Sequence, residues 1–489
     1  MHISEESLSG DKSSGQLNRK LADSLDRIGV TRAHHLIISL ILLGAFFDVL
    51  EQHTVSLAGP SLKQLWNLTT AEMAMLNSVT FAAMALGRLL AGVIADKYDR
   101  KFAISFNLAL FTFGAIICAV APSYLILAIG RIIVGFGLGG ELSSAITMLA
   151  EVSPTKFRGS AVALLNVGAG GFGNLLAPGF GVLVFALFGT DPNVGWRWLF
   201  GLLVLPAILI VFFRRYLPES PRYLLAQGKV DEANRVLSIL ASGKLATKNL
   251  TVTPYLSADD RVELKRKKVP FGDIFRGKLL RPTLTVGIAE WMTVGAQISI
   301  LVLMPTILVE QGFSIVKSLM FTMVMNVGSL LGALAASWFG YHVRRRKVLI
   351  VGSMLACGAG LAFGLLSKSI FLILLLGATF QFFVLLLNTT IWIYAPELYP
   401  TRIRAFGTAF ITAIGTAAGA VMPLVAGFMF DQSGIVGVFS LVAGMYALFA
   451  ISILFAPETH GRSLEELHED EDEKDQAAES SGSGSVTAS

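Results

Sequence analysis

Twelve stretches of mostly apolar residues run through the chain, and they limit the folds that it can adopt more than any other feature. A helix needs about 20 predominantly apolar residues to cross the hydrocarbon core of a bilayer. Only 15% of the residues are charged, whereas soluble domains carry roughly 25%, so a soluble globular protein is excluded. We predict an all-α membrane protein with twelve transmembrane helices, at about 36–57, 71–95, 101–121, 123–149, 159–188, 196–216, 281–309, 317–340, 347–367, 370–394, 404–429 and 434–456.

The basic residues between these stretches are distributed unevenly, and this distribution predicts the orientation. Lysine and arginine near the ends of membrane spans collect on the cytoplasmic side. If the N-terminus lies inside, the outer loops carry only Lys63, Arg197, Lys317 and Lys368. We therefore expect a multi-pass protein of the cell inner (plasma) membrane with both termini in the cytoplasm. The inner loops then carry Lys97, Arg100, Lys101, Lys156, Arg158, Arg344, Arg345, Arg346, Lys347, Arg402 and Arg404.

The two halves of the chain repeat one another. Residues 86–102 align without gaps with 331–347, and the segment that begins at Glu151 aligns with the segment that begins at Glu397. Repeated halves are the means by which many transporters alternate access to a site near the middle of the membrane. We predict two six-helix bundles, at 36–216 and 281–456, joined by a cytoplasmic loop at 217–280. A cytoplasmic N-terminal segment at 1–35 precedes them, and an acidic cytoplasmic tail at 457–489, which we expect to be disordered, follows them. Within the loop, the spacing near 230–240 predicts an amphipathic helix.

Several motifs give the chain a resemblance to a known family. The run from Gly92 through Asp96 to Lys101, the glycine spacing after Arg131, and the segments 218-PESPR-222 and 457-PETHGRSLEEL-467 resemble signatures of the major facilitator superfamily. The first-helix acids and 134-VGFGLGGEL-142 are most similar to the bacterial metabolite and aromatic-acid proton symporters, including niacin-type importers. The resemblance implies two pseudo-symmetric six-helix bundles. The chain departs from the loop signature at Asp99, where glycine is usual, and has Tyr341 opposite Asp96 in the second half.

Three ionisable residues lie at the depth where a charge is most costly. At 1.5 Å per residue, Asp48, Glu51 and Arg131 stand roughly 17, 21 and 18 Å above the inner edge of the membrane. The resemblance implies that helices one and four line a central cavity, so we expect these groups to face one another and water, with a carboxyl group carrying the proton and the guanidinium tuning it. The alternative is a static ion pair that joins helices one and four. His53 lies about 140° around the helix from Asp48, so we expect it to pack against its neighbours.

The resemblance implies that helices seven and ten line the cavity, so their polar side chains are candidates for contact with a solute. Amides can hydrogen-bond a small planar polar molecule, and an indole ring can stack on it. Single amides also join membrane helices to each other, and a tryptophan near a helix end can be an interfacial anchor. An arginine on helix two could attract an anion or extend toward the interface. The predicted substrate-binding set is Glu290, Gln297, Gln381, Asn388, Trp392 and Arg88.

Charged residues at the inner helix ends are candidates for gating. An ion pair there can form in only one arrangement of the two halves, which gives a two-state switch its differential contact. Simple anchoring by basic residues is the alternative. Glu141, near the inner end of helix four, we expect to be a gate or a structural partner. The predicted gating set is Glu151, Arg158, Glu397 and Arg404, together with Gly92, Asp96, Arg100 and Lys101 of the loop signature, for which the resemblance implies this role.

These features favour a secondary active transporter that imports a small organic metabolite, such as an organic or aromatic acid, together with protons. A sugar-porter-type carrier, a drug or metabolite exporter and a non-transporting solute sensor are the alternatives, and the short, featureless tail argues against the last. The sequence contains no motif of an enzyme and none for a metal or phosphate. We expect no cofactor beyond the coupling proton, no nucleic-acid partner, and a monomer in the lipid bilayer.

Overall fold

The computed structural model describes residues 19–97, 100–155, 157, 161, 164–165, 167–245, 250–257, 274–275, 277–399 and 403–458. Its long helices are α1 (Arg32–Trp66), α2 (Thr70–Lys97), α3 (Arg100–Val120), α4 (Tyr124–Val152), α5 (a π-helix, Val167–Gly173, continued by Asn174–Phe188), α6 (Gly195–Leu202 and Ala207–Tyr216), α7 (Leu280–Glu310), α8 (Ile315–His342), α9 (Arg345–Leu366) and α10 (Ile370–Glu397). The last helical stretch, Arg404–Leu454, bends at Gly434 into α11 (404–433) and α12 (435–454).

The twelve predicted helices are confirmed, with three irregularities that hydropathy alone does not show. α6 is two pieces separated by turns that end at Pro206, and α5 opens with a π-helical segment. α11 and α12 meet at the single residue Gly434, whose φ of 61° a side-chain-bearing residue rarely adopts. Among the described residues, ten helical stretches are long and apolar enough to cross a membrane, and one of them contains both α11 and α12.

Serine residues fix the first turn of three helices. Ser123, Ser314 and Ser369 precede α4, α8 and α10, and each hydroxyl accepts a hydrogen bond from the backbone N–H three residues later. The first N–H groups of a helix have no partner within the helix, so a serine at this position satisfies one of them. The amphipathic helix expected near 230–240 is confirmed as Val230–Ser242.

The two halves meet along three pairs of helices, α2 with α11, α5 with α8, and α1 with α7. Small residues allow the close approach. A Cβ atom on Gly171 of α5 would lie 3.1 Å from the Leu330 side chain of α8. Near this point the Asn326 side chain donates a 2.7 Å hydrogen bond to the carbonyl oxygen of Asn174. The interface between the halves is therefore packed on both sides of the central axis.

The halves are also tied together at the end where α1 ends and α2 begins, which we call the distal end. There the Lys63 ammonium forms an ion pair with Glu310 at the end of α7. The Asp431 carboxylate of α11 accepts hydrogen bonds from the backbone N–H groups of Thr70 and Ala71, at 3.2 and 3.1 Å. These contacts hold the distal end of the bundle closed.

Candidate functional site

A cavity of about 150 Å³ lies between the two halves, near the middle of the long helices. A water molecule occupies about 30 Å³ in the liquid, so the cavity holds about five waters or a solute with one ring. Its wall comes from α1, α2 and α5 of the first half and from α7, α10 and α11 of the second. The residues that matter chemically are His53, Arg88, Glu290, Gln297, Asn388 and Trp392.

The second half contributes a pair of amides and an indole to this wall. The Asn388 side chain of α10 donates a hydrogen bond of 3.1 Å to Oε1 of Gln297 on α7. Trp392 lies one turn further along α10 and lines the same cavity. Gln381, the remaining amide of the predicted set, is not among the described residues that line it. It lies two turns before Asn388, about 10 Å along the helix, which is beyond the end of the cavity.

Arg88 reaches across the cavity from one half to the other. Its guanidinium donates to the hydroxyl of Thr416 and, at 3.5 Å, to the carbonyl oxygen of Thr412, both on α11. It also lies within electrostatic range of Glu290. Arg88 therefore joins the halves and places a positive charge at the wall of the cavity.

Glu290 of α7 lies against the backbone of α11. A Cβ atom on Gly415 would lie 2.9 Å from Glu290 Oε1, so a side chain at this position would require the carboxylate to shift. The second oxygen, Oε2, has no hydrogen-bond partner among the described residues. The carboxylate and the Arg88 guanidinium place opposite charges on the two halves at the same cavity.

His53 packs against its neighbours as expected, with a side chain that is 2% exposed, and it also lines the cavity. His53 Nε2 is hydrogen-bonded to Asn174 Oδ1 at 2.9 Å. The cavity lies on the face of α1 that carries Val49, Gln52 and His53, and the acids of α1 point into their own half. Polar Gln52 and His53 beside Val49, at helical spacing, were the signal in the sequence for this face.

Glu51 and Arg131 form an ion pair inside the first half, with both side chains 0% exposed. Arg131 Nε also donates to the Thr80 hydroxyl at 3.1 Å, and its guanidinium lies 5.9 Å from the centre of the Phe200 ring. The structure thus brings these two predicted residues together. It contradicts the expectation that they face water, because the surrounding helices cover both groups completely.

Asp48 does not join that pair. Its side chain is 3% exposed, and neither carboxylate oxygen has a hydrogen-bond partner among the described residues. It faces Glu141 of α4 across a small closed cavity. The predicted meeting of Asp48, Glu51 and Arg131 at one point is therefore wrong in part. Glu51 meets the guanidinium, and Asp48 meets a second acid.

The predicted gating residues are only partly described. Arg158 lies outside the described residues. The structure describes only the backbone of Gly92, Asp96, Arg100 and Arg404, while Glu151 is buried at the end of α4. Glu397 accepts a hydrogen bond of 3.0 Å from Arg345, a partner that the sequence did not suggest. The backbone N–H of Lys101 donates to Glu219 at 3.1 Å, which ties the start of α3 to the segment after α6.

Known proteins resemble this chain over nearly its whole length. The family model described as "Sugar (and other) transporter" matches residues 33–470. A niacin transporter from Acinetobacter baylyi is 29% identical over 91% of this chain and 99% of its own. A probable metabolite transport protein from Bacillus subtilis is 27% identical over 82% of this chain and 86% of its own.

Solved structures show the same fold. The xylose transporter from E. coli, in a partially occluded inward open conformation, matches with a TM-score of 0.71 at 18% identity, over 88% of this chain and 99% of its own. A D-xylose–proton symporter matches with a TM-score of 0.68 at 18% identity, over 87% of this chain and 99% of its own. The twelve helices in two packed halves, the cavity between them and the match over residues 33–470 lead to one conclusion: the chain is a transporter, not an enzyme, and belongs to the sugar (and other) transporter family of the major facilitator superfamily.

Proposed function

We propose that the protein imports a small organic acid with one aromatic ring, together with protons, by alternating access across the cell inner membrane. Both termini lie in the cytoplasm in this proposal, the working unit is a monomer, and the proton is the coupling ion with no further cofactor. The observation that carries the proposal is the composition of the central cavity, where a guanidinium, an amide pair and an indole surround a space of about 150 Å³.

The chemistry of the cavity fits such a solute. Arg88 can donate to a carboxylate, and hydrogen bonds to a charged group contribute about 1.5–3 kcal/mol. Asn388 and Gln297 can bond a ring nitrogen or a second polar group, and Trp392 offers a flat face. A space of about 150 Å³ suits one ring with a substituent and is too small for a disaccharide.

The contacts between the halves support alternating access. The closed distal end, with its Lys63–Glu310 pair and the Asp431 cap on α2, corresponds to the outer side in the proposed orientation. Opening of that side requires these contacts to break, and the central cavity would then face outward. Two such states are the minimum for transport against a gradient.

Proton coupling is supported by the acids of the first half and by the relatives. Asp48, Glu51 and Glu141 lie deep in this half, where a change of protonation alters the balance of charge strongly. One fold neighbour is described as a proton symporter and one relative as a niacin transporter. The proposed substrate class combines these two indications with the charge of Arg88.

Uptake by purified protein in liposomes tests the proposal. The probes are radiolabelled nicotinate, benzoate, nicotinamide and D-xylose, each with and without an imposed pH gradient that is acidic outside. We expect nicotinate or benzoate to accumulate only with the gradient, and nicotinamide to enter poorly because it has no carboxylate for Arg88. Accumulation of none of the acids would overturn the proposal.

A sugar carrier is the second candidate, because the amide pair beside an indole also suits a ring of hydroxyl groups and the family model is named for sugars. Accumulation of D-xylose without uptake of either acid would favour it. Efflux of a preloaded acid under the same gradient, with no uptake, would identify an exporter.

A further inference from the structure

Two carboxyl groups in the first half lie together in a pocket that the ion pair of Glu51 does not reach. Asp48 of α1 and Glu141 of α4 are each 3% exposed, and both line one small closed cavity. Glu141 Oε1 lies beside Gly44, one turn before Asp48, since a Cβ atom there would be 2.8 Å from it. The rest of the described wall is apolar, formed by Ile41, Ala45, Ile104, Ala145 and Phe213.

Three of the four oxygens of these carboxyl groups are buried and lack, within the described part of the chain, the hydrogen bonds that an ionised group would need. Among the described residues, both oxygens of Asp48 and Oε2 of Glu141 have no hydrogen-bond partner. The cavity between the groups has no room for a water molecule. A bare carboxylate in apolar surroundings is highly unfavourable, and a second one beside it makes both worse.

The nearby cations are already engaged. Arg131 is paired with Glu51, and Arg88 donates to Thr416 across the cavity. Around this region the described acids are Asp48, Glu51, Glu141 and Glu290, and the described guanidiniums are Arg88 and Arg131. Asp48 interacts electrostatically with Glu51, Arg88 and Glu141. Two guanidiniums leave two of the four acids without a compensating charge.

We infer that Asp48 and Glu141 together form the proton-binding site of the transporter, separate from the Glu51–Arg131 pair, and that they hold at least one proton in the state seen here. The inference rests on the proposed proton coupling and names the groups that perform it. A hydrated cation does not fit between these carboxyl groups, so the ligand is a proton, bound to a carboxylate oxygen. The bound proton removes the charge that the pocket cannot stabilise.

The position of Arg88 couples proton binding at Asp48 to the movement of the two halves. Its guanidinium lies within electrostatic range of Asp48 and is held on α11 of the other half by Thr416. When the halves separate at this point, the contact with Thr416 breaks. The guanidinium then moves to Asp48, its positive charge stabilises the carboxylate, and the proton leaves.

Infrared difference spectroscopy of the purified protein in liposomes tests the site without any substrate. A protonated carboxyl group has a C=O stretching band that carboxylates lack. We expect this band in the wild-type protein near neutral pH and its loss in Asp48→Asn and in Glu141→Gln, because the new amide can donate a hydrogen bond that stabilises the remaining carboxylate. Glu290→Gln is the matched control, a buried acid near a guanidinium, and should keep the band.

Each outcome decides the question. A band that survives in both Asp48→Asn and Glu141→Gln, or one that only Glu290→Gln removes, overturns the inference. A thermal unfolding curve for each variant shows whether it is folded. If one of the two variants does not fold, the band of the other variant alone tests the inference.

A transport measurement separates this inference from the proposed function. With nicotinate as the probe, both variants should lose more than tenfold in gradient-driven accumulation and keep the exchange of labelled for unlabelled nicotinate without a gradient. If both variants accumulate nicotinate like the wild type, the site is not the coupling site. If the wild type takes up no probe, the proposed function fails, and the infrared result alone decides whether the pair binds a proton.

Discussion

The side-chain amide of Asn388 donates a hydrogen bond of 3.1 Å to Oε1 of Gln297, and this bond joins α10 to α7 on the wall of the central cavity. Each amide keeps further bonding capacity, since the NH₂ group of Gln297 and the carbonyl oxygen of Asn388 are not used in this bond. The pair therefore offers a donor and an acceptor to a solute while each member fixes the orientation of the other.

Replacement of this pair should weaken solute binding moderately. A neutral hydrogen bond contributes about 1 kcal/mol, so Asn388→Ala is expected to raise the KM for the transported acid about fivefold with little change in maximal rate. Uptake kinetics in liposomes measure this change. Gln381→Ala, which removes an amide of the same helix outside the cavity, is the control, and an equal effect in both variants would contradict the assignment.

Loss of the Arg88 charge should affect acids more than neutral solutes. Arg88→Gln is expected to lower the affinity for nicotinate by about 10- to 100-fold, because a hydrogen bond to a charged group contributes about 1.5–3 kcal/mol. Competition by unlabelled nicotinate and nicotinamide against the labelled acid measures both affinities. A parallel loss for the two compounds would show that Arg88 holds the halves together and does not select the charge of the solute.

Gly415 should tolerate no side chain. Its added Cβ atom would lie 2.9 Å from Glu290 Oε1 and 3.0 Å from the Val294 side chain, so Gly415→Ala displaces the carboxylate and should reduce transport at least tenfold. Gly444→Ala is the matched control, since an added Cβ atom there meets nothing within 4 Å. If Gly415→Ala transports as well as Gly444→Ala, the contact between α7 and α11 is looser than the structure shows.

The Asp431 cap should bias the protein toward the state with a closed distal end. A carboxylate at a helix N-terminus contributes up to about 1 kcal/mol when exposed, so Asp431→Ala should shift the ratio of closed to open molecules several-fold toward open. The distance between spin labels at Gln64 and Gln311, on opposite halves of that end, reports this ratio. Asp191→Ala removes an exposed aspartate that bonds Asn193 in its own half and should leave the distance distribution unchanged.

The helices and the two halves could be predicted from the sequence because their signals are local. Hydropathy over about 20 residues defines a membrane helix, and an alignment of the chain with itself shows the repeat. The predicted residues on α7 and on the far part of α10 line the cavity, because their spacing places them on one face. On α7 and α10, the face that carries these residues is also the face that the first half of the chain covers.

The arrangement on α1 could not be predicted in this way. Helical spacing shows that Asp48 and Glu51 share a face and that His53 points elsewhere, but not which face turns to the cavity. Packing of α1 against α4 decides it, and this packing buries the acids and leaves His53 at the cavity. Arg345 and Glu397 are 52 residues apart, so only the folded structure shows that they bond.

The π-helical turn of α5 determines which way the rest of that helix faces. A turn with one extra residue rotates everything after it by about 100° relative to a regular helix. Asn174 is the first residue after this turn, and it contacts His53 through its side chain and Asn326 of the other half through its carbonyl oxygen. Conversion of that turn to an ordinary helical one would rotate Asn174 away from both partners, so one local backbone change would remove a hydrogen bond within the first half and another between the halves.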